Sequence, residues 1–246
     1  MSAVDDFQRD PPQFLRRNHV TFRGEYPPAP GVHTFLLVPR TRPARARGGV
    51  FLGRSIGKAD AELWEIRYND ASMLDRSLRA FSEPFEAHWS GFAANGMVTA
   101  ALGHRGPDLM LTPELTGCAV AFSVTQDGHA RFSHYNMLEG GRTLRAPGML
   151  AQARVDHPSG PVALLTKEHY HAQSSADMRD ASEIGALGRL AKRILPAGEH
   201  RRAAANVVGW RRDGDWTFWA QYTDMKAAVA QVLDVRQLAP GKRMMG

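Results

Sequence analysis

The stretch LTPELTGCAVAFSVTQDGHARFSHYN, residues 111 to 136, decides the fold, because it reads as one β-hairpin with chemistry at its rim. Gln126-Asp127-Gly128 suits a three-residue hairpin loop, a type I turn followed by a glycine in the left-handed region. In that register residue numbers facing each other sum to 254, so Phe122 opposes Phe132 and Val124 opposes Ala130. The apolar pattern supports the same parity. Val120, Phe122, Val124, Ala130 and Phe132 make one face, and Ala119, Ala121, Ser123, Arg131, Ser133 and Tyr135 make the other. The same register sets Cys118 opposite Asn136 and diagonal to His134, on one face. A loop one residue shorter or longer would put Cys118 and His134 on opposite faces.

Cys118 is the only cysteine of the chain, and it has two readings. Buried free cysteine is a common small hydrophobe, and a buried histidine usually has a partner. The alternative is a nucleophile with its base on the next strand. Cys118 lies at the start of its strand, at the sheet rim, and follows Gly117, which lets backbone amides approach a developing oxyanion closely.

Composition narrows the field. The chain has 246 residues, 43% hydrophobic and 23% charged, the balance of a soluble globular protein with a sizeable core. No apolar run approaches the ~20 residues of a membrane helix. The N-terminus carries acids and prolines where a signal peptide has its apolar core, so classical secretion is not expected, although export by a dedicated machine needs no such signal. One cysteine excludes an intramolecular disulfide and a multi-thiolate zinc site. The formal charge of +6 favours acidic surfaces without indicating nucleic acid. Its densest patch, Arg40 to Arg47, reads as a solvated loop, or else as a docking patch for an acidic partner or a membrane surface.

Residues 1–30, rich in proline and charge, read as a loosely ordered leader, and residues 31–246 as a single domain. Strands are expected at VHTFLLVP from Val32, GVFLGRS, AELWEIRY from Ala61, GMVTAALG, DLMLT, the hairpin above, and PVALLTKEHYH. Asn69-Asp70 offers an N-cap for a helix with Met73, Leu74, Leu78 and Phe81 at helical spacing, stopped by Pro84. IGALGRLAKRIL, residues 184–195, reads as an amphipathic helix. NVVGWRRDGDWTFWAQY reads as a hairpin around Asp213-Gly214, and Asp224 as the cap of a last helix, MKAAVAQVLDV. Without strict βαβ alternation, this order predicts an α+β fold: a central, mostly antiparallel β-sandwich with flanking helices.

Leu115-Thr116-Gly117-Cys118, followed within one hairpin by His134, resembles the LxGC…His signature of the bacterial glutamine-deamidase toxins, the group of cytotoxic necrotizing factor and Burkholderia lethal factor. A related Gly-x-Cys…His arrangement occurs in chemotaxis receptor deamidases. Thr112, six positions before Cys118, matches the threonine that helps to position the histidine in the lethal-factor branch. The resemblance covers roughly residues 108 to 136. It implies a β-sandwich with flanking helices and a cysteine-dependent conversion of glutamine to glutamate in a host protein. It further implies Cys118 as nucleophile, His134 as general base and acid, and backbone support at Gly117. Thr112 would orient the imidazole by its hydroxyl or carbonyl, with Asn136 as a second candidate orienter. No cofactor and no metal are implied. Host targets of the family include Rho-type GTPases and a translation-initiation helicase. The expectation that follows is a monomer made in the bacterial cytoplasm and delivered to the host cytosol.

Other motifs carry less. His169-Tyr170-His171 places two histidines on one side of an expected strand, a spacing that some metal sites use, but they read as strand-end surface histidines. Trp210, Trp216 and Trp219 read as packing residues. The glycine-rich pieces lack a nucleotide-binding pattern. Two other functions compete: another thiol enzyme (cysteine protease, transglutaminase or acyltransferase), and a non-enzymatic basic binding module.

Overall fold

The computed structural model describes residues 2–22, 25–39, 62–69, 82–139, 142–143, 146–170, 203–224 and 231–238. An eight-stranded sheet runs in the order β1 (Asn18–Phe22), β3 (Glu62–Tyr68), β2 (Gly31–Pro39), β4 (Pro84–Trp89), β6 (Leu109–Leu111), β12 (Ala203–Arg212), β13 (Asp215–Asp224), β14 (Gln231–Leu238). A four-stranded sheet runs β11 (Val162–Leu165), β7 (Ala119–Val124), β8 (Ala130–Asn136), β5 (Gly96–Leu102). A small pair joins β9 (Leu138–Glu139) and β10 (Arg142–Thr143). Neighbours pair antiparallel except β1 with β3 and β4 with β6. The fold is thus sheet-rich α+β.

The opening hairpin forms in the expected register. Val124 faces Ala130, Phe122 faces Phe132 and Val120 faces His134. The loop closes through Thr125 N–H to the His129 carbonyl at 2.8 Å, with Gly128 at φ +78°. The second hairpin turns at Asp213 and Gly214, both at positive φ, the requirement of a two-residue turn matched to strand twist.

Alternation along these strands sorts their side chains into layers. The even-numbered residues Phe122 and Phe132 of the small sheet meet Phe218 of the large sheet, with ring centroids 4.2 and 5.5 Å apart. Around them Val120, Ala130, Leu165, Met110, Val207, Ala220 and Tyr222 complete one apolar cluster drawn from both sheets. Phe218 fits because Gly209, its cross-strand partner, has no side chain. A Cβ there would lie 2.9 Å from the Phe218 ring and 3.0 Å from Met110 Cβ. The odd-numbered residues Ala119, Ala121 and Tyr135 face outward under α3 (Ala146–Asp156), against Met149 and Ala153. Trp216 joins the inter-sheet cluster, whereas Trp210 and Trp219 pack on the opposite face of the large sheet, which confirms their packing role.

Three expectations need correction. The first residues are not a loose leader. They form α1 (Ala3–Arg9), α2 (Pro11–Arg17) and β1. Ser2 caps α1 with a capping box, and Asp10 caps α2 ahead of two prolines. Val4, Phe7, Phe14 and Leu15 then recur at helical spacing and are buried against the large sheet. Buried amides fasten this segment. Gln221 donates to the Leu15 and Asn18 carbonyls and accepts from Val20 N–H, while Asn206 donates to the Val20 carbonyl. These bonds join the β1 edge to β12 and β13, so the large sheet curls. Second, residues 231–235 of the expected last helix belong to strand β14, which pairs with β13. Third, the strand expected through His171 ends at Leu165, and residues 167–170 form a helical turn. The helix expected over 71–82, apart from Ser82, the helix expected over 184–195, the strand at 49–55 and the run Arg40–Arg47 lie outside the described residues.

Gly209→Ala is expected to cost about 1–3 kcal/mol by overpacking under Phe218. A urea midpoint lowered without a change of slope checks it.

Candidate functional site

The two sheets meet chemically at one end of their shared core. Thr112 directly follows β6 of the large sheet, and His134 lies on β8 of the small one. The Thr112 hydroxyl and His134 Nδ1 are 2.8 Å apart, a hydrogen bond across the layer with both residues buried. Leu115 anchors the intervening segment by exchanging backbone hydrogen bonds with Ala205, at 2.8 and 3.0 Å. The chain then reaches Gly117 and Cys118 one residue before β7.

Cys118 is partly exposed and packs against the same inter-sheet cluster as the even-numbered residues of the hairpin. Its carbonyl accepts a hydrogen bond from the Tyr170 hydroxyl at 3.2 Å. At Gly117 an added Cβ would meet nothing within 4 Å among the described residues. Asn136 is half-buried and pairs with Gly96. The imidazole partner is therefore Thr112, by its hydroxyl.

Among the described residues His134 Nε2 is buried with no hydrogen-bond partner, Cys118 included. With the proton on Nδ1 the ring donates to Thr112 and leaves a lone pair at Nε2, the tautomer that a base requires. Burial holds the His134 imidazole down to about 4, so at neutral pH it is uncharged. Burial pushes the Cys118 thiol above its ordinary value. The resting pair is thiol and neutral imidazole, because neither charge is solvated or yet paired.

A second histidine supports the strand from behind. His157, after α3, bonds Ser123 through Nδ1 at 2.9 Å and Ser133 through Nε2 at 3.0 Å, and Ser133 also bonds Thr99 at 2.8 Å. These residues tie β7, β8 and β5 together on the face opposite His134. Burial also holds His157 down to about 4, aided by the nearby Arg131 charge.

Sequence reasoning missed Tyr170 as a support of the Cys118 backbone, because it placed residue 170 on a strand. It also missed Phe92, whose ring lies 6.2 Å from that of His134. Its only signal was one large aromatic among the small residues of SGFAAN. His169 Nδ1 takes a hydrogen bond from Thr166 N–H at 3.0 Å, and His171 lies outside the described residues. Among the described residues no group of three or more His, Cys, Asp or Glu side chains is placed to hold a metal ion, and no helix is long and apolar enough to cross a membrane.

Comparison with solved structures gives a likeness in fold. The chain is similar to the solved C-terminal domain of CNFy from Yersinia pseudotuberculosis. The TM-score is 0.42 and the sequence identity 11%, over 96% of this chain and 99% of that one. A likeness at this score and identity does not fix chemistry. No family model and no curated protein matches the chain.

Thr112→Val, which leaves both ring nitrogens of His134 without a partner, is expected to destabilise the fold by about 1–3 kcal/mol, with Thr112→Ser close to wild type. Thermal or urea unfolding of the two variants checks it. A pH dependence follows from the two neutral histidines. Between about 6.5 and about 4 the unfolded chain binds protons that the folded one does not, so stability falls as pH drops through that window. His157→Gln is expected to flatten the urea-midpoint profile between about pH 6.5 and 5, above the range where carboxylates dominate.

Proposed function

We propose that the chain is a cysteine-dependent protein-glutamine deamidase, a toxin or effector that converts glutamine to glutamate in a host protein. The observation that carries this reading is the Thr112–His134 hydrogen bond. It spends Nδ1 on orientation and leaves Nε2 free on the face that Cys118 shares. The LxGC…His pattern, with the threonine six positions before its cysteine, names the same three residues in the sequence.

In this reading His134 acts as a neutral general base. Nε2 takes the thiol proton as Sγ attacks the glutamine side-chain carbonyl carbon. The electron pair of the C=O moves to oxygen, and the oxyanion is met by backbone amides at Gly117 and Cys118. As the tetrahedral centre collapses the C–N bond breaks, and the proton on Nε2 goes to the departing ammonia. A thioester remains. Water then adds, gives a proton to Nε2, and the C–S bond breaks to release glutamate as the thiolate recovers that proton. No cofactor enters. The product swaps a neutral donor–acceptor for an anion that only accepts, which in a GTPase removes a group able to position the hydrolytic water.

Incubation of the purified protein with a eukaryotic cell lysate, and glutamine-to-glutamate conversion read site by site by mass spectrometry, tests the reading. Conversion at one or a few glutamines is expected, with none from Cys118→Ser. Backbone cleavage or amine adducts in place of conversion would assign another thiol enzyme. Activity unaffected by Cys118→Ser would end the proposal. Gly117→Ala is expected to fold with stability within about 1 kcal/mol of wild type, since its Cβ meets nothing, yet to lower conversion at least about tenfold by crowding the oxyanion.

A further inference from the structure

We propose that Phe92 is a positioning residue for His134: its ring, on the loop between β4 and β5, closes the solvent side of the imidazole and keeps water off it in the free protein. The proposal rests on the reading of His134 as a general base and adds the element that keeps that base dry.

The geometry is layered. His134 is 1% exposed while Phe92 is 47% exposed, and their ring centroids are 6.2 Å apart at 38°. Phe92 is therefore the outer member of the pair. It belongs to none of the buried apolar clusters, so core packing does not account for its place. Tyr26, also exposed, meets the Phe92 ring edge-on at 6.5 Å and stacks on the fully buried Trp89 at 5.5 Å. Trp89, Tyr26, Phe92 and His134 thus form a row that passes from core to site along the surface.

The loop is built to hold that ring there. Its start is pinned by Ser90 N–H donating to the Leu111 carbonyl at 2.9 Å, one residue before Thr112. Its end runs into β5, whose Val98 sits directly opposite His134. The same two attachments that fix the imidazole therefore bracket Phe92. Between them Gly91 passes close over Trp89, where a Cβ would lie 3.1 Å from the indole nitrogen. Asn95 at φ 51° and the Gly96 N–H to Ala93 carbonyl bond of 3.2 Å close the turn.

Among the described residues no charge competes with burial as the cause of the imidazole's neutrality. On the hairpin the titratable group of the same face is Cys118, one residue before β7. Val98 faces it from β5 and the neutral Thr112 from the segment after β6, while Arg131 and Tyr135 of β8 point to the other face. Glu114 acts on Tyr26, whose hydroxyl is pushed up first by burial and then by that carboxylate. Burial is the cause that sets His134. Removing its outer cover admits water to an imidazole with nothing else to hold it neutral.

The test is NMR titration of the His134 ring, assigned with His134→Gln, in wild type, Phe92→Ala and Phe92→Leu. In Phe92→Ala the midpoint is expected to rise from about 4 by at least about one unit towards the ordinary 6.5, with Phe92→Leu close to wild type. An unchanged midpoint in Phe92→Ala overturns the proposal. Glutamine conversion in the lysate from pH 5 to 8 tests the link to catalysis. The acid limb is expected to move up with the midpoint in Phe92→Ala and to return in Phe92→Leu. A limb that stays while the midpoint moves overturns the positioning role. If wild type converts no glutamine at any pH, the deamidase reading fails, and the titration still decides whether Phe92 covers the ring.

Discussion

The Phe218 ring, seated over Gly209 and pressed against Phe122 and Phe132, is the contact on which the rest of the structure depends. It joins the central hairpin of the small sheet to the last hairpin of the large one. Each sheet alone would expose a continuous apolar face. Together they bury it and, as a consequence, bring the residue after β6 to within a hydrogen bond of β8. The Thr112–His134 bond is thus a product of sheet packing. A small shift between the sheets would break it, because a hydroxyl and an imidazole nitrogen tolerate only a few tenths of an ångström.

β8 carries opposite chemistry on its two faces. Its inner face offers His134, with one nitrogen bonded and one unpartnered. Its outer face offers Ser133 to His157, both of whose ring nitrogens are bonded. Two buried neutral histidines lie on opposite sides of one strand, and their hydrogen bonding separates their roles. The fully satisfied ring fixes strands. The half-satisfied ring is costly in a core unless a reaction uses it.

The central hairpin was legible in sequence because three independent signals agreed: the loop chemistry of Gln126-Asp127-Gly128, the parity of the apolar residues, and the spacing of Thr112, Cys118 and His134. The Asp213-Gly214 hairpin was legible for the first two of these reasons. The N-terminal helices were not, because proline and charge, which usually mark loose chain, here serve as caps and first-turn residues for two seven-residue helices. Their stability comes from burial of Phe7 and Leu15 and from Gln221, some 200 positions away, which no local pattern reveals. β14 was misread for a related reason. VLDV suits either period over so short a span, and pairing with β13 decides it. Phe92 was invisible because its meaning lies in what it covers, and the partner is 42 residues distant.

The electrostatics of the free site bear on how a dyad of this kind works. A thiol raised by burial and an imidazole lowered by burial are both held in the uncharged form. Proton transfer between them is uphill in the resting protein, and a thiolate is not standing ready to meet passing electrophiles. What offsets the cost is pairing: once the proton moves, imidazolium and thiolate attract each other in surroundings where charge is poorly screened. That gain requires the two groups to approach within hydrogen-bond range, which in the free protein they do not. In the proposed reaction, a bound glutamine with its carbonyl at Gly117 would add a second electrostatic gain, because its developing oxyanion would meet backbone amides. Under the proposed function, reactivity would then arise only with substrate in place, and selectivity for one protein glutamine would reside in the Cys118–His134 pair as well as in the docking surface around it.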